Sequence, residues 1–281
     1  MKQALAVVFL ALVLVWPLNA QDTGSRKIRS LEGPATATLG GVAEIQIPQG
    51  YSFIDGKTLK PLLEAVGQSA EGIVGSLSPT NADWSVMFYY EASGYIKDEE
   101  KDKLNADKLL KDYREGTEEG NKRRAEVGAP PIHVTGWELP PRYNTETHNL
   151  EWALRGTCEG EEILNYDTRL LGRKGYMSVK LIVAPNEYAA SFPAFTNLMA
   201  SYKFKNGETY AEYKPGDKIA KYGLGALVLG GAAVGAAKLG LFVWLGVLFK
   251  KAGKLVIVAI VAVAALFKRI FAKIFNRNRD N

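Results

Sequence analysis

The sequence predicts an α+β fold, a mainly antiparallel sheet packed with helices, followed by a C-terminal transmembrane helical region. Three observations lead there. Short β-favouring runs recur between Gly- and Pro-containing turns from Ala35 to Ala184, the signature of hairpins and meanders. Two stretches, over 98–127 and 186–201, carry apolar residues at helical spacing. Residues 222–275 hold long apolar runs broken only by lysines, arginines and glycines.

The first element is an export signal over residues 1–20. Lys2 precedes the apolar run Ala4–Val15, and Trp16-Pro17-Leu18-Asn19-Ala20 breaks the helix and supplies a small residue for cleavage. The competing reading is a retained N-terminal anchor. No cysteine follows the run, which argues against lipoprotein processing. Residues 21–34 are polar and aperiodic and read as a flexible lead.

An extracytoplasmic α+β domain is expected over residues 35–206. Ala35–Leu39 and Val42–Ile47 alternate about Gly40-Gly41, a hairpin signal. Leu59, Leu62, Leu63 and Val66 mark a short amphipathic helix, and Ile73–Leu77 and Trp84–Tyr90 read as strands. The pattern from Asp98 to Val127 is helical, with Asp98-Glu99-Glu100 at the end where the helix dipole favours acids. Ala106, Leu110, Tyr113, Thr117 and Arg124 fall near one face. Glu118–Lys122 and Glu119–Arg123 are spaced for i,i+4 pairs. Ile132–Trp137 is a short strand, and Leu139-Pro140-Pro141-Arg142 an extended turn. His148–Cys158, Glu162–Leu171 and Tyr176–Ala184 form an antiparallel meander, and a helix runs from Pro185-Asn186 to Ser201.

Residues 207–221 are expected as a juxtamembrane linker and 222–249 as a transmembrane helix. Those 28 residues exceed the roughly 30 Å apolar slab of a bilayer at about 1.5 Å per residue, with Lys238 reaching the inner interface. Gly231, Gly235, Ala236 and Gly240 have the spacing that lets two membrane helices approach closely, although small residues are common in any such helix. Residues 255–275 form a second apolar or amphipathic helix that either spans again or lies in the inner leaflet, and 276–281 are a basic tail.

Charge separates these regions. Residues 21–215 carry 23 Lys/Arg against 28 Asp/Glu, whereas residues 216–281 carry 11 against 2. The basic excess therefore flanks apolar segments, which fits membrane topology and anionic inner-leaflet lipid and excludes a nucleic-acid partner.

Chemistry-bearing motifs are scarce. Cys158 is the single cysteine, so no internal disulfide holds the domain. His133 and His148 lack ligand spacing, no nucleotide-binding or hydrolase signature occurs, and no cofactor or metal site is expected. The polar set that stands out is Trp137, Tyr143, Trp152, Asn165, Asp167, Arg169 and Arg173. Strand alternation puts Asn165, Asp167 and Arg169 on one face. That face could hold a polar ligand or partner loop; the competing reading is an internal hydrogen-bond network tying strands to the long helix.

Leu164-Asn165-Tyr166 followed by Arg169-Leu170-Leu171-Gly172-Arg173 resembles a signature of DUF2167, an uncharacterised family of bacterial membrane-anchored proteins. Gly94–Asp98, Gly136-Trp137 with Pro140 and Tyr143, and Asp217–Leu224 are similar to it as well, and in the same order. The resemblance runs from about Thr36 to Phe275 and implies architecture and location without a biochemical role. The close of the domain, an apolar strand, Pro185, a helix and Ser201-Tyr202-Lys203-Phe204, also looks like that of PsbP-like domains, which implies antiparallel sheets between helices serving as binding or assembly modules. Fold likeness does not transfer function.

The sequence thus leads to a periplasmic interaction or sensing module anchored in a bacterial inner membrane, not an enzyme. Its expected partner is an envelope protein, or a second copy joined through the Gly/Ala-rich helix. The alternative is a hydrolase or ligand-processing enzyme using the Asn165/Asp167/Arg169 face. Basic residues resist outward transfer by about 2.3 kcal/mol each per 100 mV. Alkaline phosphatase fused after Asn206 is therefore expected to be active, and the same reporter after Asn281 silent. Activity at both positions would mean that residues 255–275 cross a second time.

Overall fold

The computed structural model describes residues 29–65, 70–126 and 130–230. The expected signal at 1–20, the helix-packing residues Gly231, Gly235, Ala236 and Gly240, the apolar stretch 255–275 and the tail lie outside them. In chain order the strands are β1 (Leu31–Glu32), β2 (Ala35–Leu39), β3 (Ala43–Ile47), β4 (Tyr51–Asp55), β5 (Ile73–Pro79) and β6 (Ser85–Glu91), with helix α1 (Gly56–Ala65) between β4 and β5. Helix α2 (Ala106–Glu126) leads to β7 (Ile132–Asn144), β8 (Asn149–Cys158), β9 (Glu161–Leu171) and β10 (Tyr176–Ile182). Helix α3 (Tyr188–Met199), β11 (Lys203–Phe204) and the short α4 (Leu224–Val228) close the chain.

The architecture is α+β. Eight antiparallel strands form one sheet in the order β1-β4-β5-β6-β10-β9-β8-β7, and β11-β3-β2 form a second. Leu39, Ile45 and Ile47 from the small sheet, with Phe195 and Leu198 from α3, bury one face of the large sheet against Phe88, Tyr166, Val179 and Leu181. The opposite face packs Leu150, Trp152, Leu154, Leu171 and Tyr176 against Leu109 and Tyr113 of α2 and against Tyr210, Leu224, Leu227 and Val228. From Leu164 onward β9 is buried on both sides except at Asn165. That double cover follows from its place between β10 and β8.

Several elements differ from the sequence reading. The turn expected at 139–142 is instead part of the 13-residue β7, because both prolines are accommodated where its register with β8 shifts. The sheet edge tolerates them, since β7 is the last strand and its outer side has no strand partner among the described residues. Helix α2 starts at Ala106, not Asp98. Asn105 caps it, its Oδ1 accepting the Lys108 N–H at 2.8 Å. Its buried stripe is Leu109, Tyr113, Thr117, Gly120 and Arg124. Glu118 pairs with His133 at 2.9 Å and Lys122 with Glu119 at 2.6 Å, so Glu118 is drawn to the sheet rather than to Lys122. Residues 31–32 of the expected flexible lead pair with β4.

The largest difference is at the C-terminal end. Residues 207–221, expected as a linker, are laced to the sheet. Tyr95 and Ile219 form a bridge, the Tyr210 hydroxyl donates to the Ile96 carbonyl at 2.9 Å, and Arg173 grips Asp217 through two hydrogen bonds of 2.6 and 2.8 Å. The start of the expected span belongs to the domain as well. Leu224, Leu227 and Val228 are fully buried, and the Tyr113 hydroxyl donates to the Val228 carbonyl at 2.5 Å. Helix α4 then ends, and Gly230 takes a φ of +110°, a conformation that glycine adopts readily. Among the described residues no helix is long and apolar enough to cross a membrane.

A core role for α4 has a measurable consequence. Leu227→Ala is expected to lower stability by about 3 kcal/mol through lost burial and a cavity. Urea denaturation of the detergent-solubilised protein, followed by tryptophan fluorescence, measures it. A leucine embedded only in detergent would leave the unfolding midpoint unchanged.

Candidate functional site

The seven residues singled out in the sequence do not form one exposed face. Their placement follows from register. Lys180 of β10 stands opposite Asp167 of β9, which stands opposite Trp152 of β8; one step along, Ser178 faces Arg169 and Arg169 faces Leu150. All these side chains point to the α2 side of the sheet, where α2 and the strap 207–230 seal most of them from water.

Arg169 is the centre of this set. Its guanidinium lies 4.8 Å from the Trp152 ring centroid and 5.9 Å from that of Tyr176, a cation–π arrangement on two aromatic walls. Its Nη1 donates to Asp167 Oδ1 at 3.1 Å and to the Thr168 carbonyl at 3.3 Å. Lys180 Nζ donates to the same Asp167 oxygen at 2.7 Å. Burial alone would push the Asp167 carboxyl up, but the Lys180 and Arg169 charges outweigh it and hold the carboxyl below its usual range. Two cations thus serve one anion. The buried half of the network is Asp167 with Arg169, and Lys180 reaches outward, its side chain 41% exposed.

The other four residues are dispersed. Asn165 is exposed at the open end of the same face. Trp137 is half-buried under α2, its indole N–H donating to the Ala106 carbonyl at 3.1 Å and its ring meeting Tyr113 edge-on. Arg173 is committed to Asp217, and this pairing holds the Asp217 carboxyl at about 2. Tyr143 belongs to a second cluster.

That cluster was not legible as a unit in the sequence. Tyr143 ends β7 near the turn that carries His148; the Asn144 side chain caps the turn by accepting the Glu146 and Thr147 N–H groups at 2.8 and 3.1 Å. His148 sits at φ +53°, a region seldom occupied by a residue with a side chain, and its carbonyl accepts the Leu171 N–H at 3.0 Å. Tyr143 Oη donates to Asp98 Oδ2 at 3.2 Å and lies 3.0 Å from His148 Nδ1. The phenol has one hydrogen, so Nδ1 carries the proton in the second contact. The Tyr210 ring lies against the imidazole at 4.2 Å with a tilt of 31°, and Tyr95 stacks on Tyr210 at 4.5 Å. Burial, together with the nearby Asp98 charge, pushes the Tyr143 phenol well up. Asp98, part of the expected helix start, instead reaches Tyr143 from 45 residues away, and Tyr210 of the strap covers the imidazole. A signal existed in Asn144, a residue suited to turn capping shortly before a histidine.

The rest of the inventory is structural. His133 is taken by Glu118, and Cys158 is buried with its thiol pushed up by that burial. Among the described residues no group of three His, Cys, Asp or Glu side chains is placed to hold a metal ion.

A family model described as "Protein of unknown function (DUF2167)" matches residues 31–263, and the chain belongs to that family. No curated protein matches the sequence. Among solved structures, the chain is similar to the solution structure of cyanobacterial PsbP (CyanoP) from Synechocystis sp. PCC 6803, with 12% identity, 66% of this chain and 98% of that one covered, and a TM-score of 0.36. A likeness of that size carries no argument about function.

The Asp167 network makes a prediction with a definite sign. A carboxyl held below its unfolded value contributes stability that is present above about pH 4 and lost as pH falls through the folded value. Arg169→Met leaves Asp167 with Lys180 alone and is expected to cost about 3 kcal/mol at pH 7. The acid-linked loss of stability should be smaller in this variant and be complete at a higher pH, because only the folded-state value moves while the onset stays at the unfolded one. Denaturation curves at pH 7 and pH 3 measure both effects, and equal stability of the two proteins at pH 7 would refute the role given to Arg169.

Proposed function

We propose that the protein is a membrane-anchored periplasmic interaction or sensing module, without catalytic activity, whose folded domain is tightly held as far as Gly230. The observation that carries this reading is the strap. Arg173–Asp217, the Tyr95–Ile219 bridge and the buried Leu224, Leu227 and Val228 leave no slack between the sheet and Gly230, where the apolar stretch begins. A domain that merely needed tethering could use a loose linker. One that reports a binding event to its anchor needs a stiff connection.

The partner-facing side we favour is the open half of the face that contains Lys180. Register aligns Ser76, Met87 and Lys180 across β5, β6 and β10, all only half-buried, while Ile182 and Asn165 at its end are exposed. One charge and one large apolar group at that end suit a protein partner offering an acidic side chain beside an apolar one. Lys180 joins this surface to Asp167, and through it to Arg169 and Trp152 beneath the strap.

The alternative, a hydrolase built on Asn165, Asp167 and Arg169, has less support. Asp167 and Arg169 are committed to each other in the interior, Asn165 stands at the exposed end of their face, and both histidines are engaged elsewhere. A reactive constellation needs convergent groups beside a space for substrate.

Photo-crosslinking amino acids placed at Ile182 and Asn165 in intact cells test the proposal. One reproducible envelope protein captured from both positions is expected, with none from Lys60 on α1. Failure to capture a common partner from either position would sink the interaction reading.

A further inference from the structure

Asp98 comes from a stretch of chain 45 residues before Tyr143, and Tyr143 and His148 from the two sides of the β7–β8 turn, and the three converge on one point. The edges of the triangle they make are 3.0 Å from Nδ1 to Oη, 3.2 Å from Oη to Oδ2, and 4.0 Å from Nδ1 to Oδ2. A relay of two hydrogen bonds could hold its ends almost twice as far apart as a single bond. Here the path is bent to about 80° at the phenol oxygen, tighter than hydrogen-bond directions at a phenol favour. The centre of this triangle lies about 2.0 Å from all three atoms, the distance at which first-row metals bind imidazole nitrogen and carboxylate oxygen.

The shape of the triangle also selects among metals. Seen from that centre, Nδ1 and Oδ2 are almost opposite, about 160° apart, and Oη stands near a right angle to both. These are three positions of a square or octahedral site, unlike the tetrahedral set that zinc prefers. The donors are one imidazole, one carboxylate and one phenol oxygen, a hard and oxygen-rich set. Two anionic oxygens would match a trivalent ion better than a divalent one.

The surroundings hold the three groups in place while leaving them reachable. Tyr210 packs against the imidazole, the Asn144 cap fixes the turn, and His148 is kept at φ +53° by its carbonyl contact with Leu171. Strained backbone of this kind gathers at ligand sites. The side chains of His148 and Asp98 are 28% and 27% exposed, enough for an ion to enter from solvent.

We propose that Asp98, Tyr143 and His148 form a ferric iron site, with Oδ2, Oη and Nδ1 as its protein ligands. Binding forms the Fe–Oη bond and releases the phenol proton, together with the Nδ1 proton, to solvent or to Nε2. No electron transfer is involved, and the remaining coordination positions are left to water or a small chelating anion. The site stands independently of the partner-binding reading above.

The test is titration of the full-length protein in detergent with ferric nitrilotriacetate, following visible absorbance and bound iron. One equivalent of iron and a tyrosinate-to-iron charge-transfer band are expected. Tyr143→Phe should abolish the band with the far-ultraviolet circular dichroism unchanged, whereas Tyr95→Phe, which alters a neighbouring ring outside the triangle, should keep it. Asp98→Asn and His148→Gln should each weaken binding by about tenfold or more. Absence of a band at saturating iron would overturn the proposal, as would a band that survives Tyr143→Phe. Should Tyr143→Phe fail to fold, unchanged affinity in both Asp98→Asn and His148→Gln would overturn it instead.

Discussion

Arg169 is a guanidinium inside the sheet, and one side of the molecule is arranged to make that tolerable. An arginine cannot shed its charge at any accessible pH, so it must be neutralised and solvated by protein where it lies. Asp167 neutralises it from two residues along the same strand, and Trp152 and Tyr176 offer their ring faces on either side. Lys180 then completes the carboxylate's set of partners from the neighbouring strand. Remove water from this assembly and it needs a lid. The lid is α2 with the strap, whose Leu109, Tyr113, Leu224, Leu227 and Val228 share a core with Trp152 and Tyr176.

The same constraint explains why the chain after β11 is not a linker. The face that it covers contains a charge pair whose strength depends on exclusion of water. A loose tail would leave Trp152 and Leu150 wet and the ion pair screened. Backbone pairing at Tyr95–Ile219 and the bidentate Arg173–Asp217 contact fix the strap so that its apolar residues can close the site. Closure of the strap and core formation are therefore one structural event in this protein. Tyr210 shows how closely they are joined, since it packs in the core, bonds to Ile96 and forms one wall of the His148 cluster.

Much of the fold could be read from residue order because local physics decides it. Strand alternation in Ala35–Ile47, the meander of β8, β9 and β10, and the helical spacing around Leu109 and Tyr113 each depend on near neighbours. Residue order and structure part where a local signal is ambiguous. Pro140 and Pro141 promise a turn, yet an edge strand tolerates them at a register shift. Asp98-Glu99-Glu100 is a good helix start by composition, but Asn105 is the cap, and Asp98 is spent on Tyr143. Leu224, Leu227 and Val228 look the same to a membrane and to a protein core, because both are simply dry.

Residue order alone dictates the α+β class, the antiparallel meander, and the shared face of Asn165, Asp167 and Arg169, since alternation along a strand needs no knowledge of the rest of the chain. What that face meets is a matter of tertiary packing. Whether a polar strand face is a surface or an interior depends on which distant segment lies across it, and here α2 and the strap do so over Arg169 while leaving Asn165 and Ile182 bare. The convergence of Asp98, Tyr143 and His148 was decided at the same level. The two rings lie five residues apart across a turn that Asn144 caps, but the carboxylate joins them from 45 residues away, which no local pattern encodes.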